Sequence, residues 1–372
     1  MYIISNMSGA LVELVSKGVQ DAYLINNEGA NSLFKTVFTR HTNFSMAPKR
    51  LEFSGQPPQD NGVSSIIIKS YGDLVNYVWL EGDYLTTNLT GTIFDLYIGG
   101  QKIDSHSFEF LVYAWQQYQA ESYSKSTVIS SDLTSSCTSF MPLHFFFCDM
   151  QSFLPIIALQ YHEVEIRILW GPHASSIQNI NVYANYIYLD TKERTSMVEK
   201  PMEIIITQTQ TYQFPIVDNQ NAIIDLSVLN HPVKTIFFGA LASAQHFTDS
   251  FTFSDAEFQV NGTQVFEKMS PVYFYIVQSF FHTNYSLINF TDSTSTASQP
   301  KNQPKYTLLY MYNFCLNTTS FRPTGTCNFS RIDNAKIILN NVSSNKTVGY
   351  VYAINYNILK IQSGMAGILF GN

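Results

Sequence analysis

The strongest acid–base candidate in this chain is the run Gln160-Tyr161-His162-Glu163-Val164-Glu165. A histidine beside carboxylates can ligate a metal ion or relay a proton. The run is predicted to be extended, and adjacent strand residues point to opposite faces. His162 and Glu163 then diverge, while Glu163 and Glu165 share a face with no second histidine at ligand spacing. The expectation is a structural pair. His106, His144, His173, His231, His246 and His282 are scattered, and no two stand at i, i+2 or i, i+4. Asp95, Asp104, Asp190, Asp225 and Asp333 could supply the paired carboxylates of a glycosidase, but the sequence places no two of them together. There is no GxSxG, P-loop or GxGxxG. Cys137, Cys148, Cys315 and Cys327 form no CxxC pair, so no zinc site is expected. Cys148 and Cys315 fall in Phe-rich segments predicted to be strands and read as small buried hydrophobes. No catalytic residue, cofactor or metal is expected.

The elements that would carry these residues occur twice. Asp95-Leu96-Tyr97-Ile98-Gly99-Gly100-Gln101 is echoed by Glu257-Phe258-Gln259-Val260-Asn261-Gly262-Thr263-Gln264. Phe147-Cys148 is echoed by Phe314-Cys315. Val182-Tyr183-Ala184 followed by Asn185-Tyr186 returns as Val351-Tyr352-Ala353 followed by Asn355-Tyr356, an offset of 351 − 182 = 169. Three matches in one order indicate a duplicated β-rich unit. Strands are predicted at 33–44, 63–69, 76–84, 92–99, 140–147, 158–169 and 180–190, then at 202–214, 222–228, 233–240, 255–266, 306–315, 332–340 and 349–361. Helices are predicted at 8–21, with Ser8 as N-cap, and at 105–120, where Phe108, Leu111, Val112 and Trp115 follow a helical spacing. The first helix either packs on its own domain or docks on a neighbour. Residues 119–139 and 284–305 read as polar loops, and 190–202 as a polar linker. Short strands, long loops and few helices predict an all-β chain of two tandem eight-stranded antiparallel jelly rolls (a double jelly roll) with short helical insertions. The expected boundaries are 1–25 for an N-terminal arm, 26–195 for the first roll and 196–372 for the second.

Composition bounds the partners. Only 13% of residues are charged and 15% are aromatic, with 28 Phe and 23 Tyr. Aromatic and β-branched side chains fit pleated, half-buried surfaces. Charge this sparse suits a surface covered by neighbours better than a freely diffusing monomer. The net charge of −7 comes without a Lys/Arg cluster, so direct nucleic-acid binding is not expected. Met1 to Ser8 lacks the marks of a signal peptide, and no run reaches the roughly 18 apolar residues that a membrane span needs. Unpaired cysteines fit assembly in a reducing cytoplasm.

Several blocks resemble the major capsid proteins of nucleocytoplasmic large DNA viruses. They are Ser8-Gly9-Ala10-Leu11 with Gln20-Asp21-Ala22-Tyr23-Leu24, Phe34 to Phe44, Gly99 to Asp104, Pro155 to Val164, Pro323 to Asp333, and Tyr352 to Gly367. The most specific is Pro323-Thr324-Gly325-Thr326-Cys327-Asn328-Phe329-Ser330-Arg331-Ile332-Asp333, whose Gly325, Cys327, Asn328, Arg331 and Asp333 form the expected structural signature. The resemblance spans the chain and implies two consecutive jelly rolls. It also implies a homotrimer whose six rolls make a pseudo-hexagonal capsomer of an icosahedral shell. Implied partners are neighbouring capsomers, minor capsid proteins and an inner membrane layer, in a virion assembled in the host cytoplasm. The chain is shorter than many members, which places the missing residues in surface loops. Gly325 is expected to be a turn glycine with positive φ, so Gly325→Val should lower the yield of trimer. Arg331 and Asp333 are expected to form an ion pair between strands or subunits. Among ten N-x-Ser/Thr sequons, Asn284 and Asn289 in the long polar insertion are the glycan candidates, checked by intact mass. Two alternatives remain at this stage. One is a minor capsid paralogue or assembly scaffold of the same fold. The other is a carbohydrate-binding or carbohydrate-cleaving β-sandwich, for which Trp79, Trp115 and Trp170 are few.

Overall fold

In the computed structural model, which describes residues 19–20, 40–83, 86–122, 125, 140–149, 152–241, 250–283 and 308–371, apolar side chains alternate with polar ones along most strands. In Val164–Leu169, Val164, Ile166 and Ile168 are buried while Glu165 and Arg167 face outward. That period of two forces each strand to cover a core on one side.

The first roll contains β1 (Phe44–Leu51), β2 (Phe53–Gly55), β3 (Val63–Ile68), β4 (Leu74–Asp83), β5 (Ile93–Ile98), β6 (Gln101–Ser107), β7 (Phe140–Pro142), β8 (Val164–Leu169) and β9 (Gln178–Leu189). The second contains β10 (Met202–Pro215), β11 (Gln220–Asp225), β12 (Pro232–Ala240), β13 (Phe251–Thr252), β14 (Asp255–Val260), β15 (Thr263–Met269), β16 (Leu308–Asn313), β17 (Cys327–Asn328), β18 (Ala335–Ser344), β19 (Val348–Gln362) and β20 (Met365–Ile368). The first roll packs the sheet β1-β9-β4-β7 against β2-β3-β8-β5-β6. The second repeats the order as β10-β19-β12-β16 and β11-β18-β14-β15, with β17 and β20 added to one sheet and β13 pairing β18. All these pairings are antiparallel, which gives two jelly rolls in series. A core cluster centred on the first roll also takes in Phe237, Leu309, Tyr352 and Leu359, so apolar packing continues across the boundary between the rolls. A separate cluster built around Phe238, Phe258 and Tyr310 fills the second sandwich.

Several local expectations change. A strand begins at Phe44 and runs on to Leu51, while 33–39 lie outside the described residues. Gln101–Ser107 is a strand, and the helix starts later, at Phe110–Gln119, with π-type turns. The strand at 140 ends at Pro142, because Leu143 to Cys148 turn tightly, with Cys148 N donating to Phe145 O at 2.7 Å. Residues 158–163 precede their strand. The linker holds the helix Thr191–Glu199, in which the expected boundary at 195 falls. The segment 255–266 is a hairpin folded at Asn261-Gly262, and a helix not expected from the sequence follows it over Tyr273–Val277 and Gln278–His282. Cys148 and Cys315 stand in turns just past their strands. Burial pushes the Cys148 thiol up to about 12 and raises that of Cys315, which keeps both protonated. Most of 8–21, with Cys137, His246, Asn284 and Asn289, lies outside the described residues.

Candidate functional site: the seam between the rolls and the edges it leaves open

The chemistry-bearing residues gather where β6 meets β10. Gln208 Nε2 donates to the Ile103 carbonyl at 2.5 Å, and Thr209 N–H donates to Asp104 Oδ1 at 2.8 Å. Asp104 Oδ1 also accepts from Ser105 N–H at 2.8 Å, and its Oδ2 lies 2.9 Å from His106 Nε2. The Asp104 and His106 side chains are 2% and 4% exposed. A buried carboxylate is tolerable only when its oxygens are filled in this way. Asp104 is therefore a fastener between the rolls.

His162 does the same work at the chain end. It sits in the loop before β8, not on a strand, so the divergence expected from strand geometry does not apply. Its Nδ1 accepts from Ala366 N–H at 3.1 Å, and Gln101 Oε1 accepts from Ile368 N–H at 3.2 Å. Tyr161 N–H donates to the Gly364 carbonyl at 3.0 Å. The bonds from Ala366 and Ile368 cover donors of β20, the strand that flanks the end of β19, and the bond from Tyr161 fills an acceptor in the turn before it. Deeper in the seam, Tyr118 Oη donates to the Leu309 carbonyl at 2.8 Å. Phe110 packs on Tyr352 and Tyr118 on Phe237, with ring centroids 5.4 and 5.6 Å apart.

The remaining carboxylates are employed locally. Asp95 Oδ1 binds Lys102 Nζ at 2.9 Å and accepts from Ser105 Oγ at 2.6 Å. Ser105 thus brings Asp95 and Asp104 together, but each is already committed to a structural partner. Glu165 takes two hydrogen bonds from Arg167, at 2.9 and 2.8 Å, which hold its carboxyl below the usual range. Asp225 accepts from Ser227 Oγ at 2.5 Å. Asp190 precedes the helix Thr191–Glu199 without a side-chain cap bond, and Asp333 is exposed. Among the described residues no group of three His, Cys, Asp or Glu could hold a metal ion. The tryptophans are engaged too. Trp79 stacks on Tyr183, Trp115 stacks on His144, and Trp170 Nε1 donates to Ser64 Oγ at 2.7 Å.

The signature block laces the second roll. Gly325 has φ of +141°, and a Cβ there would come within 2.8 Å of the Phe314 carbonyl. Thr324 Oγ1 donates to the Asn317 carbonyl and accepts from Asn317 N–H, both at 3.1 Å. Cys327 and Asn328 form β17 against Val233 and Pro232. Asn328 Oδ1 accepts from Ser330 N–H at 3.1 Å, capping a single 3₁₀ turn whose Phe329 is buried against Phe314. Arg331 and Asp333 are both exposed, with no salt bridge between them in the chain.

Two edges lack the cover that the seam provides. β6 lies under β10, and Ile103 is 2% exposed. Its counterpart in the repeat, β15, is exposed along most of its length, and Val265 at the position of Ile103 is 51% exposed. β1, the counterpart of β10, is exposed along most of its length up to Leu51 and, among the described residues, pairs only with β9. Phe280, Phe281 and Leu316 are also largely exposed. Gln208, Thr209 and Gln101 were missed as functional residues by sequence reasoning. The available signal was a polar residue on the inward period of a strand, which becomes informative only once the second roll is known to lie over it.

Residues 193–367 match the family described as large eukaryotic DNA virus major capsid protein, and residues 32–190 match the major capsid protein N-terminus. The chain is 33% identical to the major capsid protein of Pyramimonas orientalis virus, over 98% of this chain and 100% of the relative. It is 28% identical to the major capsid protein of Paramecium bursaria Chlorella virus 1, over the same shares of the two chains. The fold matches a chain of the PBCV-1 virus capsid with a TM-score of 0.75 at 24% identity, covering 92% of this chain and 100% of that one. It matches the Faustovirus major capsid protein with a TM-score of 0.67 at 10% identity, covering 93% and 95%.

Proposed function

The chain belongs to the major capsid protein family of large eukaryotic DNA viruses, and from that premise we propose that it is a structural brick that assembles as a homotrimer, a pseudo-hexagonal capsomer of an icosahedral shell. The observation that carries the trimer is the mismatch between internal symmetry and cover. Within the chain, β6 of the first roll meets β10 of the second. The same contact repeated between chains would set β15 of one copy against β1 of the next, and these are the two edges left exposed. A head-to-tail contact of this kind makes a ring when the rotation closes, and six rolls around one axis need three chains. The low charge of the surface suits burial between subunits.

In this reading the protein does no catalysis, because its buried carboxylates and histidines serve as fasteners. Neighbouring capsomers, minor capsid proteins and an inner membrane layer are its partners, with no direct contact to nucleic acid. Assembly takes place in the host cytoplasm, and Asn284 and Asn289 of the long polar insertion are the glycan sites.

Light scattering after size exclusion tests the trimer. The expected mass is three times 42.2 kDa. Val265→Asp is expected to give a folded monomer, since it charges the exposed edge and touches no core. A monomeric wild type, or a trimer undisturbed by Val265→Asp, would refute the edge-to-edge arrangement.

A further inference from the structure

A cavity of about 400 Å³ lies in the seam, walled by both rolls. Phe110, Trp115, Phe145 and Phe146 line it from the first roll, and Phe321 and Ile354 from the second. The half-exposed pair Glu121 and Lys125, 2.7 Å apart, also lines it. This size and apolar character fit a single small organic molecule.

One wall carries a charge that no carboxylate neutralises, although the Lys234 ammonium also faces the Tyr356 ring, 5.7 Å from its centroid. Lys234, on β12, is 6% exposed and lines the cavity. Its Nζ donates to the Thr318 carbonyl at 2.6 Å. An ammonium has three donors, and no carboxylate among the described residues stands within ion-pair distance of this one. Among the described residues Asp149 is the carboxylate whose charge bears on it, and Glu121 is taken by Lys125. Burial lowers the Lys234 pKa to about 8, which leaves it mainly charged at neutral pH. Two further polar atoms in the cavity wall, Gln119 Nε2 and His144 Nε2, are buried without a hydrogen-bond partner. Gln119 is itself 6% exposed. Buried polar atoms without partners are rare in native proteins, and here they surround a space.

We propose that this seam cavity binds a small amphipathic monocarboxylate, its carboxylate on the Lys234 ammonium and its apolar body along Phe110, Trp115 and Phe145. The ligand would tie β12 of the second roll to the helix Phe110–Gln119 of the first. The proposal concerns the single chain and stands whether or not three chains close a ring.

The test compares octanoate with 1-octanol, which share a tail but not a charge, by calorimetric titration of the full-length protein in its assembled state. The expected result is roughly tenfold or more tighter binding of the acid, the worth of a charge-assisted hydrogen bond. Lys234→Met should erase that preference and leave octanol binding in place. Raising the pH from 7 to about 10.5 should erase it in the wild type as well, which covers the case of a variant that fails to fold. Equal binding of acid and alcohol, no binding of either, or an acid preference that survives both Lys234→Met and high pH would overturn the site. The first two outcomes would leave the ammonium to water and Asp149.

Discussion

The β5–β6 and β14–β15 hairpins share a design and meet opposite surroundings. Both turn on two residues of positive φ, Gly99 at +57° and Gly100 at +80° in one, Asn261 at +49° and Gly262 at +78° in the other. Such φ values define the tight turn that matches strand twist. Both are followed by a helix with π-type turns, Phe110–Gln119 and Tyr273–Val277. Yet β6 carries Asp104 and His106 into a buried seam, whereas at the same positions β15 carries Phe266, half-buried against Phe258 and Tyr312, and the exposed Lys268. Duplication supplied two equivalent edges, and the fold covers one of them internally. Polar chemistry in the chain has therefore collected at the covered edge, where it fixes the angle between the rolls. The open edge kept an apolar residue, Val265, suited to a neighbour.

The largest expected effect comes from removing the fastener. Asp104→Leu leaves Thr209 N–H and the His106 ring without their acceptor in a buried site, at a cost of about 3–5 kcal/mol. At the matching position, Phe266→Leu trades one apolar side chain for another and should cost no more than about 1.5 kcal/mol. Equilibrium denaturation of both variants measures the difference. Equal losses would mean that the two edges are energetically alike.

Exchange of the turn residues sharpens the same comparison. At Gly99 a Cβ would lie 2.3 Å from His162 Nδ1, the atom that accepts from Ala366 N–H. Gly99→Asn must displace that ring and free the β20 backbone, an expected loss of about 2–3 kcal/mol. The reverse change, Asn261→Gly, gives up one exposed hydrogen bond, from Asn334 N–H at 3.2 Å, and should cost less than about 1 kcal/mol. Thermal unfolding of the two variants reads the asymmetry, and a harmless Gly99→Asn would remove His162 from the seam.

The duplication was legible because it is written in turn residues and core aromatics, which the local fold fixes. Gly99-Gly100 and Asn261-Gly262 mark the same turn, and Val182 and Val351 begin the same inward run. The double jelly roll followed from these spacings. What was illegible depended on the other roll. Lys102-Ile103-Asp104-Ser105-His106 reads as too polar for a buried strand, and only the cover of Gln208 and Thr209 makes it one. Pro48-Lys49-Arg50 reads as a loop, yet its backbone pairs with Asn185, Ala184 and Tyr183 in β9. The apolar run Tyr273 to Phe281 is rich in strand formers, and its helix is supported by packing of Phe274 on Phe238 and of Tyr275 on Tyr310. His162 beside Glu163 invited a metal or acid–base reading, but its partner is a backbone N–H more than 200 residues away. Lys234 gave no signal at all, since a lone lysine in a strand normally faces water.

The smallest expected effect concerns pH and again separates the two copies. The registers set Pro142 of β7 opposite Trp79 as they set Met311 of β16 opposite Phe237, so His144 falls at the place of Asn313, which has no titratable ring. The His144 ring stacks on Trp115 with centroids 3.2 Å apart, and burial, with His106 and Lys125 nearby, holds the imidazole well below its ordinary value of 6.5. The folded state therefore keeps His144 neutral where the unfolded chain takes up a proton. For a base whose folded pKa is depressed, the stabilisation is complete above the unfolded value and declines as pH falls below it. Stability should drop between pH 6.5 and about 5 by up to about 1.4 kcal/mol per unit. His144→Met removes the titratable ring and should flatten that slope without altering stability above pH 7.5 by more than about 1 kcal/mol. Denaturation midpoints across this range decide it. An unchanged slope in His144→Met would refute the assignment of the acid sensitivity to this ring.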